Sequence, residues 1–482
     1  MNPTNRKWLF AIIGIAAVLR CGTMFIFHPP LISDDRDYDA IARSIAGGEG
    51  YTLDGKPTAY RLPGYPFLLA GTYALFGDSK TPIRVLQTLF DLVSCLLLFA
   101  IGKKLFSEKV GLVAAAVLAF FPIQILYVSH LMTETLFTTI LLLIIWTALI
   151  ESKDSPPTGN DIVLGALIGV STLIRTSVLL LPLLIFLWRW KGGLPFKANL
   201  RSLAVVSIAV FCVTSPWLVR NYSEFHRLSL TSNVGVNFWQ GNHSGASGAF
   251  SYPKENNPLL AVEDDFERSD LGMKLGIEFI ESKPIEYCMV LGKKFVRFFS
   301  ADYWLMMTMQ YKQEWAHAPN FSTIVAQFSL PVLFVLHVPY VVVLFLGTFG
   351  LVCNAAEDNK KLFILRSLLV YWLLIHLITF ADARLRFPIM PMAILAASYA
   401  WSILRARSFG LTKLRMAVAS ILFLLFIVGW IGEYVTIRSK IVPTRVRSNM
   451  NAQSIHFSAL STRASRPSLQ KCVDFVAPLE YI

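Results

Sequence analysis

Two acidic positions stand where carboxylates are costly. Asp34 opens the run Asp34-Asp35-Arg36-Asp37, just past a long apolar stretch, and Glu134 sits in His130-Leu-Met-Thr-Glu-Thr-Leu-Phe137, just before another. Ionisable groups beside a bilayer core are expensive unless they carry a function or a partner. A carboxylate held there can take a proton from an attacking hydroxyl or amine. Plainer readings exist for each one: Asp34 as a helix cap, and Glu134 as a helix-start carboxylate favoured by the dipole. Cations accompany them at Lys56, Arg61, Arg175, Arg220, Arg384 and Arg386. Arginine binds phosphate oxygens through two parallel hydrogen bonds, although snorkelling to lipid headgroups accounts for many arginines of this kind. Arg61 is set apart by Pro63 and Pro66, which stiffen the chain around it, and Arg384 and Arg386 by the segment Asp382-Ala-Arg-Leu-Arg-Phe-Pro388. Arg175 lies between two apolar runs. No glycine-rich nucleotide loop, HExxH or GxSxG pattern occurs, so soluble nucleotide-dependent chemistry is not supported.

The elements that must position these residues are membrane spans. Of 482 residues, 55% are hydrophobic and 16% charged, against about 25% charged in soluble domains. Apolar blocks cover 8–27, 83–101, 110–128, 135–150, 202–219, 328–352, 362–380, 387–404 and 416–434, with two shorter runs in 161–190 broken near Arg175 and Pro182. At roughly 20 residues per crossing this predicts about 11 transmembrane helices. The fold class is all-α, since lipid leaves only helices or closed barrels. The net charge of +13 comes from Lys and Arg at alternate helix ends. It reports topology by the positive-inside rule, and no nucleic acid is expected. On that rule loops 28–82 and 220–327 lie outside the cytoplasm, as does the tail 436–482, beyond a membrane domain of 1–435. Residues 1–27 read as an uncleaved first span. The six cysteines form no CxxC pair, so neither a disulfide framework nor a metal site is indicated. In the first loop, Tyr38, Ile41, Ala42 and Ile45 make an interfacial helical stripe behind capping residues Ser33 and Asp34, and glycines 47, 48 and 50 end it. In the second loop, short helices are expected near 264–281 and 285–299, packed on the outer membrane face. Asn221, Asn242 and Asn320 fit the N-glycosylation pattern and are expected to be unmodified.

Ser33-Asp-Asp-Arg-Asp-Tyr38 followed by Arg61-Leu-Pro-Gly-Tyr-Pro66 resembles the first outer loop of GT-C glycosyltransferases, above all the bacterial relatives of dolichyl-phosphate-mannose protein mannosyltransferases (family 39) and of the lipid A aminoarabinose transferase. The Thr133-Glu134 pair, Ser215-Pro-Trp-Leu-Val-Arg-Asn221, Gly235-Val-Asn-Phe-Trp-Gln-Gly-Asn242 and Arg384-Leu-Arg-Phe-Pro-Ile-Met-Pro391 resemble later segments of the same proteins. The resemblance implies a bacterial inner-membrane transferase, with its active site on the extracytoplasmic face. It would move a sugar from a polyprenyl-phosphate donor to a lipid, glycan or protein acceptor with inversion. It assigns catalysis to Asp34 and Glu134, with Asp35 as the alternative register, and substrate binding to Tyr38, Arg61, Tyr65, Arg384 and Arg386. Some GT-C enzymes use a divalent metal, which Asp34 with Glu134 can hold, but none is expected here. The alternatives are a transporter or flippase of lipid-linked sugars, which inverted repeats and broken helices near the midplane would mark, a membrane scaffold, and a polymerase or ligase acting on the same carrier.

Overall fold

The computed structural model describes residues 1–29, 31, 34–150, 158–250, 257–300, 330–353, 359–409 and 412–432. Ser33, the third glycosylation pattern at Asn320 and the tail 436–482 fall outside them. The chain is a multi-pass helical membrane protein. The apolar blocks become α1 (Pro3–Ile26), α4 (Thr81–Leu105), α5 (Glu108–Ala119), α6 (Pro122–Tyr127), α7 (Glu134–Leu149), α8 (Thr158–Thr172), α9 (Leu181–Lys191), α10 (Phe196–Phe225), α14 (Leu330–Val352), α15 (Asn359–Ile378) and α16 (Met390–Ala406), with a last helix, α17, at Lys413–Gly432. Among the described residues seven helices are long and apolar enough to cross a membrane, and the apolar α7 and α8 are shorter.

Residues 110–128, expected as one span, form two helices. Pro122 lacks an N–H and starts α6, which leaves the last carbonyls of α5 without helical partners. Arg20 of α1 meets that need: Nη1 donates to Ala119 O at 2.8 Å and Nη2 to Leu118 O at 3.3 Å. Its Nε pairs with the buried Asp91 of α4. The break in 161–190 falls where the sequence placed it, with a single 3-10 turn at Thr176–Val178 between α8 and α9.

Two loops share one end of the bundle. The first holds α2 (Asp34–Ala46), a hairpin of β1 (Thr52–Leu53) and β2 (Lys56–Pro57), and α3 (Gly64–Phe76). The strands pair antiparallel, Thr52 with Pro57 and Leu53 with Lys56. Asp54 and Gly55 between them both have positive φ, as a two-residue hairpin turn requires. α2 buries Tyr38, Ile41 and Ala42, the stripe read from the sequence. The second loop holds α11 (Val234–Gln240), α12 (Asp265–Ser282) and α13 (Pro284–Phe298). Asp264 caps α12 by accepting from the N–H groups of Phe266 and Glu267. The core runs between α4, α7, α15 and α16, where the fully buried Trp372 donates its indole N–H to Leu385 O at 2.8 Å.

Candidate active site

α2 begins at Asp34 and α7 at Glu134, both at the end of the bundle that carries the two loops. The 3-10 turn Ala383–Ile389, before α16, brings Arg384 between them. Asp382 starts that turn by accepting from the Arg384 N–H at 2.9 Å. Arg384 Nη2 then lies 2.7 Å from Asp34 Oδ2, and its Nε is 3.5 Å from Glu134 Oε1. The other Asp34 oxygen accepts from Arg61 Nη2 at 2.7 Å. Arg61 also holds Asp37, at 2.6 Å from Nη2 and 3.0 Å from Nε. Arg175, from the turn between α8 and α9, donates to Glu134 Oε1 at 2.5 Å and to the Thr133 hydroxyl at 2.8 Å. Three guanidinium groups therefore interlock with three carboxylates drawn from five separate parts of the chain.

The two catalytic candidates differ in access. Asp34 keeps a fifth of its side chain exposed, whereas Glu134 has none. Asp34 is thus the carboxylate that a bound molecule can reach, and Glu134 is placed to orient Arg175 and Arg384. Burial alone would raise the Asp34 pKa, but Arg61 and then Arg384 outweigh it and hold the carboxyl well below its usual range. Burial pushes the Tyr38 phenol up to about 12. Asp35, one residue on, is fully buried and accepts from the Arg36 N–H at 3.0 Å.

The remaining expectations separate. The Tyr38 ring packs 5.5 Å from the Arg61 guanidinium. Tyr65 sits behind it, edge-on at 5.2 Å and fully buried, with its hydroxyl donating to Gln87 at 2.8 Å. Its packing is therefore against protein, where sequence reasoning set it against substrate. Arg386 points elsewhere than Arg384: it donates to Phe298 O at 2.7 Å and lies over the Tyr340 ring at 4.0 Å. Arg220 is also structural here. It ties α10 to the first loop through Thr58 O and Tyr51 O. Asn221 and Asn242 are fully buried and donate their amide N–H groups to backbone carbonyls.

Sequence reasoning did not find Gln87, whose amide donates to Val128 O at 2.9 Å and His130 O at 2.7 Å. Together with Arg84, which donates to Ser129 O at 3.0 Å, it fixes the turn that leads into Glu134. A polar side chain within the 83–101 apolar run was the available signal. The pairing of Glu134 with Arg175 also went unread, although both residues were singled out.

Residues 56–219, about a third of the chain, match the sequence model of the dolichyl-phosphate-mannose-protein mannosyltransferase family. The matched stretch includes Arg61, Glu134 and Arg175, and stops short of Arg384. No curated protein matches the chain. Similar solved structures include the oligosaccharyltransferase AglB from Archaeoglobus fulgidus in complex with an inhibitory peptide and a dolichol-phosphate, at 14% identity over 90% of this chain and 56% of that one, TM-score 0.44. Another is ArnT from Cupriavidus metallidurans bound to undecaprenyl phosphate, at 13% identity over 83% of this chain and 78% of that one, TM-score 0.38. The chain spans about half the length of the archaeal structure. Over residues 56–219 the chain is thus similar to a family of sugar transferases.

Proposed function

We propose that this protein transfers a sugar from a polyprenyl-phosphate donor to an acceptor hydroxyl or amine at the extracytoplasmic membrane face, inverting the anomeric carbon. The observation that carries the reading is Arg384 bridging Asp34 and Glu134, with Arg61 on the far side of Asp34. The mannosyltransferase family matched by residues 56–219 is named for a dolichyl-phosphate donor, and a lipid phosphate is the anion such guanidinium groups suit. As the acceptor oxygen or nitrogen forms its bond to the anomeric carbon, Asp34 takes its proton. The bond from that carbon to the phosphate oxygen breaks, and the phosphate leaves with the electron pair. Arg61 and Arg384 stabilise the charge that grows on it. With both oxygens held by arginine, the resting Asp34 is a weak base. A donor phosphate that draws one guanidinium away restores its basicity, which couples proton removal to the presence of donor.

The test is release of labelled sugar from a polyprenyl-phosphate-sugar donor by purified protein in detergent, wild type beside Asp34→Asn. Turnover in the wild type should drop about 10²–10⁴-fold in the variant. Tight donor binding without turnover, unchanged by the substitution with acceptors present, would instead indicate a transporter.

A further inference from the structure

The segment that delivers Arg384 is held by α13 at two points. Phe298, the last residue of α13, accepts from Arg386. One turn earlier Lys294 is fully buried, with Nζ 2.7 Å from Asn242 Oδ1, 2.9 Å from Leu377 O and 3.3 Å from Ile378 O. Leu377 and Ile378 end α15, where carbonyls have no helical N–H partner and a cation complements the dipole. Asn242 reaches the same place from the second loop, donating to Ile378 O at 2.9 Å. Gly241 lies so close that a Cβ there would sit 2.0 Å from Thr379 O. Ala381 N–H donates to Gly248 O at 2.9 Å. Residues 377–381 are thus gripped along their length, and Asp382 and Arg384 follow at once. A buried ammonium is costly unless fully hydrogen-bonded, and an apolar side chain would fill the same space at less cost. What the amine adds is direction: it fixes where the end of α15 points.

We infer that Lys294 is a positioning residue for Arg384, holding the 377–386 segment so that one guanidinium spans Asp34 and Glu134. The consequence for turnover rests on the transferase reading, but the geometry can be tested without it. Hydrogen exchange of the full chain in detergent should show the amides of 379–386 opening about tenfold faster in Lys294→Met, with those of 134–149 unchanged, because local openings report local contacts. In the donor assay, kcat and kcat/KM should fall together by up to about a hundredfold, the cost of a misplaced charge. Arg384→Gln combined with Lys294→Met should lose no more than Arg384→Gln alone, since both act through one group. Additive losses, or unchanged exchange at 379–386, would overturn the inference. Should Lys294→Met fail to fold, Asn242→Leu loosens the same carbonyls and should give the same exchange and cycle pattern. A wild type without donor turnover defeats only the transferase reading, and the exchange comparison still decides on Lys294.

Discussion

Both Asp34 oxygens accept from guanidinium groups, so its pH behaviour follows from what holds them. A carboxyl with a depressed folded pKa contributes stability that is present above its unfolded value, about 3.9, and lost as pH falls through the folded value. The same depression places the acid limb of kcat/KM, which reports the free enzyme, below the ordinary carboxylate range. Once a donor phosphate competes for Arg61 and Arg384, the carboxyl loses part of that support, so the acid limb of kcat should lie at higher pH than that of kcat/KM. Arg384→Gln removes one of the two guanidinium partners permanently. Its kcat/KM limb should move upward towards the kcat limb, and kcat should drop about 10²–10³-fold for the lost charge stabilisation. Coincident limbs in the wild type, or an unmoved limb in Arg384→Gln, would show that the arginines do not set the basicity of Asp34.

Beside the Arg220 bonds, a close backbone contact at Gly64 binds the first loop to the bundle. Gly64 N–H donates to Leu173 O at 2.8 Å, and a Cβ at Gly64 would lie 2.9 Å from that oxygen and 2.7 Å from the Ile174 side chain. Two residues beyond Leu173 stands Arg175, and three before Gly64 stands Arg61, so this contact sets the spacing of two of the three site cations. Gly64→Ala should destabilise by about 1–3 kcal/mol, as overpacking does, and lower donor turnover about tenfold or more by shifting Arg61. Thermal unfolding in detergent and the donor assay check the two halves of this, and an unaffected variant would mean that the loop is placed by other contacts. The elements themselves were largely legible in the sequence: the stripe of α2, the break around Arg175 and the helices of the second loop all have local causes. The division of 110–128 was missed although Pro122 signalled it, because its compensation comes from Arg20 on another helix. Partners were legible only as candidates. Asp34 meets Arg384 across 350 residues of sequence, and nothing local separates Arg384 from Arg386, whose side chains leave the same short turn towards different neighbours.

At the scale of the whole molecule the site stands at the end of the bundle that carries both loops, so the side of the membrane that end faces decides which substrates it meets. Lys103, Lys104, Arg189 and Lys191 lie at or near the opposite ends of their helices, as the positive-inside rule expects of the cytoplasmic side. The native cysteines supply a probe of this orientation. Cys288 is exposed on α13 in the second loop, Cys95 and Cys353 are buried, and Cys21 and Cys212 are exposed along α1 and α10, helices long and apolar enough to cross a membrane. In a Cys472→Ser background, which removes the thiol of the tail, a membrane-impermeant maleimide added to intact cells should label the protein. Further replacement of Cys288 by Ser should abolish that labelling. Reaction only after the membrane is permeabilised would place the two loops and the Asp34 site in the cytoplasm. An acceptor outside the cytoplasm would then be out of reach of the site, and the charge distribution along the chain would need another cause.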